Sequence, residues 1–152
     1  MANSQAMCTS FKGELLSATH NFSSANPAHT ANTADTFKAA LYLTTASLGA
    51  ATTAYSATGE VSGTGYSAGG VTVTNATAPT TSGTTAYWTP SASITYTSVT
   101  LSTAFDTVLI YNSSQSNKAV SVHTFGSQTV TAGTFALTMP TNAAGTALLN
   151  IA

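Results

Sequence analysis

The chain carries three lysines, no arginine and only four acidic side chains along its 152 residues, and this near absence of charge constrains it more than any other feature. Charged residues make up 5% of the sequence, where roughly 25% is usual. Soluble monomers normally guard their surfaces and sheet edges with Lys, Glu and Asp. Here Thr, Ser and Asn stand in their place, and such groups hydrogen-bond to water or to protein at modest desolvation cost. The β propensity of threonine accounts for its abundance but not for the missing charge. A surface of this kind is expected to lie against other protein.

The charges are Lys12, Glu14, Asp35, Lys38, Glu60, Asp106 and Lys118. Recognition of nucleic acid needs several phosphate-neutralising side chains on one face, so neither a DNA nor an RNA partner is expected. A polybasic membrane patch is excluded for the same reason. No apolar run is long enough to span a bilayer, and residues 1–6 lack the basic and apolar regions of a secretory signal, so neither membrane insertion nor export is expected. Cys8 stands alone, which rules out an intrachain disulfide and suits a reducing compartment. Sequons at Asn21, Asn75 and Asn112 arise readily by chance in so Ser- and Thr-rich a chain.

Periodicity divides the chain in two. Within residues 5–18, Met7, Phe11 and Leu15 recur four apart with Leu16 beside them, one face of a short helix that Gly13 weakens. Residues 19–34 are polar, contain Pro27 and read as an extended arm. Residues 1–34 thus form a helix and arm ahead of a β domain over 35–152. The helix either reaches onto a neighbouring subunit or folds back on its own domain. From Asp35 the period becomes two: Phe37, Ala39, Leu41 and Leu43 alternate with Lys38, Ala40, Tyr42 and Thr44. A short strand is expected within 53–57, then a loop carrying Gly59, Gly63, Gly65, Gly69 and Gly70, then a strand through Val71 and Val73. No lysine or helix pattern follows those glycines, which argues against a phosphate cradle.

Further strands are predicted at Ala86–Trp88, stopped by Pro90, and through Ile94, Tyr96, Val99 and Leu101. Val108–Tyr111 is the strongest apolar run and reads as a central strand buried on both faces. The polar turn Asn112–Asn117, followed by Val120 and Val122, marks a hairpin. Val130, Phe135, Leu137 and Met139 mark two short strands about Ala132 and Gly133, and residues 148–151 a last one. Roughly eight or nine short strands imply an all-β fold, an antiparallel β-sandwich that is jelly-roll-like, with a closed barrel as the alternative.

Chemistry finds little purchase. His20, His29 and His123 are not spaced with other ligands as a metal site requires, and His20 and His29 are expected to be exposed in the arm. No alternating carboxylates suggest calcium. Serines are plentiful but histidines and acids too few to single out a triad, and Cys8 reads as a small apolar member of the helix. Nothing pairs Glu14, Asp35, Glu60 and Asp106 for glycoside hydrolysis. Neither catalysis nor a metal, cofactor or small-molecule substrate is expected. Trp88 with Tyr87 and Tyr96 offers flat rings that would suit a sugar, but strand aromatics bury well, so a carbohydrate-binding module is the weaker alternative.

The segments Asp35–Tyr42, Thr58–Tyr66, Gly69–Val71 and Leu109–Ser114 resemble small virion proteins of tailed bacteriophages, and the likeness spans about Phe11 to Ala152. The resemblance implies an accessory virion component assembled in the host bacterial cytoplasm. Among such components a capsid decoration, or cement, protein fits best. Proteins of that kind sit on the outer shell at local symmetry axes, often as trimers, against the major capsid protein. A neck, tail or fibre-associated component is the runner-up. Interfaces of this kind are polar with a few aromatic anchors, and the expected contact residues are Tyr55, Tyr66 and Trp88 together with Phe11 and Leu15 of the helix.

Overall fold

A computed structural model describes residues 2–23, 33–74 and 78–152 of the chain. In chain order the elements are β1 (Ala6–Met7), α1 (Thr9–Leu16), β2 (Phe37–Leu43), β3 (Val71–Thr72), β4 (Thr80–Ser82), β5 (Thr85–Trp88), β6 (Ile94–Asn112), β7 (Lys118–Leu137) and β8 (Leu149–Ile151). They build two antiparallel sheets, one five-stranded in the order β1-β7-β6-β2-β3 and one three-stranded in the order β4-β5-β8. Among the described residues the chain is all-β with a single short helix.

Bulky apolar side chains in unbroken succession are stable in a strand only with protein on both faces. Val108–Tyr111 meets that condition: each residue is buried, and β6 runs between β7 and β2. What reads in the sequence as separate strands at 94–101 and 108–111 is one strand of 19 residues. Its partner β7 has 20 and runs straight through the Ala132–Gly133 position where two short strands are expected. The interruptions are bulges within continuous pairing. The register slips between Tyr96 and Val99, where Ser98 takes a φ of 54°. One extra residue is absorbed there, so Ile94, Tyr96, Val99 and Leu101 all stay buried. Opposite, Ala132 takes a φ of 46° and donates its N–H to Thr100 Oγ1 at 3.0 Å. The hairpin turn closes through Ser116 and Asn117, both at positive φ.

The expected strand within 53–57 is absent. That segment makes one isolated bridge, Ala54 to Lys118, flanked by backbone hydrogen bonds from Tyr55 to Asn117 and from Ala119 to Thr53. The helix starts at Thr9 rather than Gln5, because Ala6 and Met7 pair with Val122 and Ser121 on the edge of β7. Eight residues make too few helical hydrogen bonds to persist alone. Packing holds them instead: Phe11 is buried and stacks edge-on to Phe22, which lies 4.4 Å from Phe37 and 4.8 Å from Trp88 between ring centroids. One aromatic cluster therefore ties α1, the main sheet and the small sheet together, and the helix is folded back on its own domain. Of the expected arm, Pro27 and His29 lie outside the described residues, as does Asn75 of the second sequon.

The glycine-dense loop is pressed onto the main sheet rather than cradling a ligand. A Cβ on Gly70, which has a φ of +71°, would collide with the carbonyl oxygen of Ala39 in β2. One on Gly63 would collide with the carbonyl oxygen of Thr100 in β6. Gly70→Ala is expected to cost about 2–4 kcal/mol, from positive φ and overpacking together. Gly126→Ala, where a Cβ meets nothing within 4 Å, is expected to change stability by less than about 0.5 kcal/mol. Urea titration of the two variants measures the contrast.

Candidate functional site: internally paired carboxylates and a sparsely charged surface

A carboxylate kept from water must be hydrogen-bonded or neutralised, and all four carboxylates are engaged by the chain itself. Glu14 on α1 meets Lys118 Nζ at 2.6 Å and His20 Nε2 at 2.7 Å. Asp35 accepts from Asn112 Nδ2 at 2.7 Å, the backbone N–H of Asn21 at 2.9 Å and Gln115 Nε2 at 3.2 Å. Glu60 accepts from the hydroxyls of Tyr55 and Tyr66, each at 2.7 Å, and from the Gly69 N–H at 2.8 Å. Asp106 accepts from Asn3 Nδ2 at 2.9 Å and Thr107 Oγ1 at 2.7 Å. Each of the four is only partly exposed, so little unpaired negative charge faces outward.

At the base of the hairpin these contacts converge on Asn112, which is 0% exposed. Its Oδ1 accepts the backbone N–H groups of Ser114 and Gln115, so its amide nitrogen must face Asp35 and, at 3.0 Å, His20 Nδ1. His20 Nδ1 is then an acceptor, and Nε2 carries the proton donated to Glu14. The expectation that His20 is exposed is thus corrected: its side chain is 0% exposed, beside Phe11 at a ring distance of 4.8 Å. Nothing in the local sequence marks it: Glu14 lies six residues before it, but Asn112 comes from a distant segment, and Asp35 and Lys118 join through Asn112 and Glu14.

Two further groups have the residue types for chemistry. Ser121 Oγ and His123 Nε2 share a hydrogen bond of 2.9 Å, but Ser121, paired with Met7 of β1, is 1% exposed, with its hydroxyl shut away from any substrate. Cys8 is fully buried at the start of α1, and burial, then the nearby Glu14 charge, push its thiol up to about 11. It stays protonated and inert.

The expected contact residues are mostly committed within the chain. Phe11 and Trp88 are 1% and 2% exposed, so they present no surface as the chain stands, and Trp88 offers no open ring face to a sugar. Tyr55 stacks on Tyr111 at 4.8 Å and Tyr66 on Tyr96 at 5.8 Å while both hold Glu60. Burial first, then Glu60, push the Tyr55 phenol up to about 12 and raise that of Tyr66, so both remain neutral donors. Leu15 is half-buried in an apolar notch it shares with Phe11, Phe22, Pro79, Tyr87 and Ile151. Among the described residues the large apolar side chains that do face outward are Leu16, 93% exposed, and Ile151 beside that notch. The sequence pattern sets Leu16 beside Met7, Phe11 and Leu15 on one helix face, whereas the structure turns it outward.

An open depression of 840 Å³ runs along 45–59, lined by small side chains such as Ser4, Thr45, Ala46, Ser47 and Thr52, and no charged side chain lines it. Among the described residues no group of His, Cys, Asp and Glu is placed to hold a metal ion, and no helix is long and apolar enough to cross a membrane. Compared with family models, curated proteins and solved structures, the chain matches none.

Buried His123 and paired Glu14 give stability a specific pH dependence. Burial lowers His123 from 6.5 to about 4. The unfolded chain binds that proton near pH 6.5 while the folded chain resists it, so stability is complete above 6.5 and declines toward 4, at up to about 1.4 kcal/mol per pH unit. For Glu14 partial burial acts upward, but the hydrogen bonds from Lys118 and His20 outweigh it and hold the carboxyl below its ordinary 4.5. Its contribution is present above 4.5 and lost as pH falls through the folded value. Denaturant titrations across this range are expected to show the upper slope removed by His123→Gln and the lower one reduced by Glu14→Gln.

Proposed function

We propose that the chain is a structural protein of a tailed-bacteriophage virion, decorating the outer surface of the expanded capsid and stabilising the contacts between capsomers. The observation that carries this reading is that all four carboxylates, each only partly exposed, are engaged by hydrogen bonds from within the chain. A surface of hydroxyls, amides and methyl groups loses little when protein covers it, because few charges are stranded. The resemblance over residues 11–152 supplies the setting. On this reading the two antiparallel sheets are the layers of a jelly-roll-like sandwich. The partners are the major capsid protein or other virion proteins, together with further copies of the chain. The reading involves no catalysis, cofactor, nucleic acid, membrane or small substrate.

The mechanism is thermodynamic linkage. A protein that binds the expanded shell and not its precursor stabilises the expanded state by its binding free energy, about 2.7 kcal/mol per site at a concentration of roughly 100 times Kd. Many modest contacts on one particle then act together. Exposed Leu16 and Ile151, with the outer residues of the glycine loop, are the contact candidates this surface offers.

Denaturing gels of intact virions are expected to show on the order of hundreds of copies, as repeated shell sites require. Purified chain added to expanded shells that lack it should raise their melting temperature. Leu16→Asp with Ile151→Asp should weaken that binding by about tenfold or more without unfolding the chain. A count of about a dozen or fewer would place the chain at the neck or tail instead. Its absence from virions would overturn the reading.

A further inference from the structure

Among the described residues the longest unpaired sheet edge is the outer half of β7. β1 covers that edge only at Ser121 and Val122, and no other strand lies beside it from Thr124 to Leu137. An open edge presents a row of backbone N–H and C=O groups ready to pair with another strand, and proteins ordinarily guard it with charge, proline or bulges. Residues 124–137 contain no charge and no proline. Bulges do interrupt the edge, between the partners of Phe105 and Thr107 and again around Ala132. They leave Gly133–Leu137 as a straight run, spanning roughly 17 Å.

We infer that this run pairs antiparallel, about a two-fold axis, with the same run of a second copy. The pairing takes up the self-association within the proposed function and names its surface, without needing the capsid. Three observations point to a second copy as the occupant. A partner that recognises by charge finds nothing to read here, whereas two identical uncharged edges meet without like-charge repulsion, and the whole chain carries a net charge of only −1. The same edge already accepts an antiparallel strand at β1, so added pairing continues an existing row. Finally, Phe135 is half-buried at the end of an aromatic cluster, 6.1 Å from Tyr96, 5.0 Å from Phe105 and 5.3 Å from Phe125.

An axis at Phe135 sets the two Phe135 rings side by side, joins the two clusters across the sheet, and opposes exposed Thr134 to exposed Ala136. Aromatic cross-strand neighbours of this kind stabilise a pair, and the even register keeps each face continuous. Because the contact is self-complementary it closes on itself. Its product is a dimer, not the trimer that the resemblance implies.

Sedimentation equilibrium over a range of concentrations tests this. The wild-type chain is expected to be dimeric. Thr134→Lys with Ala136→Lys sets like charges across the axis and should raise the dissociation constant by at least about tenfold. Both side chains are exposed, so the melting temperature of the monomer should hold. Thr134→Cys with Ala136→Cys should oxidise to a covalent dimer, while buried Cys8 contributes none. A wild-type chain that is monomeric throughout, or trimeric, would overturn the inference, as would a lysine variant that dimerises like the wild type. Shell binding is a separate readout: a dimer that ignores phage shells sinks the virion reading and leaves this edge standing, and a monomer that binds them does the reverse.

Discussion

The pairing of Ile94–Asn112 with Lys118–Leu137 is the interaction on which the rest of the molecule is hung. Its inner half buries Val108–Tyr111 and Val120–Val122, each large apolar side chain contributing about 1.5–3 kcal/mol. β2 adds to one side of that half and β1 to the other. The glycine loop lies across β2 and β6, and α1 is held at the closed end of the hairpin. The outer half is covered more thinly: β6 still buries one side, while β7 exposes most of its residues.

This inequality shapes the surface. Where the hairpin is fully covered, polar groups are drawn in and satisfied by one another, as at Asn112, Asp35, His20 and Glu14. Such a junction adds little net stability but strongly penalises the loss of any one member, because the others are then left buried and unpaired. It fixes the N-terminal segment to the base of the hairpin. Residues 94–105 and 124–137 contain no charge at all, so the outer half is left with hydroxyls and methyl groups, which do little to oppose contact with other protein.

Burial also limits what the reactive side chains can do. Ser121 with His123, and Cys8, have the atoms of nucleophilic chemistry, but each sits in the packed sheet or at the start of the helix. The same holds for the aromatics that stood out in the sequence. Trp88 and Phe11 hold the two sheets and the helix together, and the tyrosines orient Glu60. Outward-facing Leu16 and the β7 edge, by contrast, carry no distinctive residue type.

How much was legible follows from the range over which each signal acts. Period-two alternation, the apolar run at Val108–Tyr111, the turn at Asn112–Asn117 and the scarcity of charge are properties of neighbouring residues, and they determined an antiparallel β-rich chain with a central strand and a hairpin. Bulges were misread as strand ends, because a one-residue slip looks in sequence like a break and only the facing strand shows that pairing resumes beyond it. The burial of His20 and the engagement of all four acids were decided by the tertiary structure alone. Glu60 finds its partners within nine residues, but Glu14 with Lys118, Asp35 with Asn112 and Asp106 with Asn3 join distant segments, and no local pattern encodes a contact that forms only once the sheet has assembled.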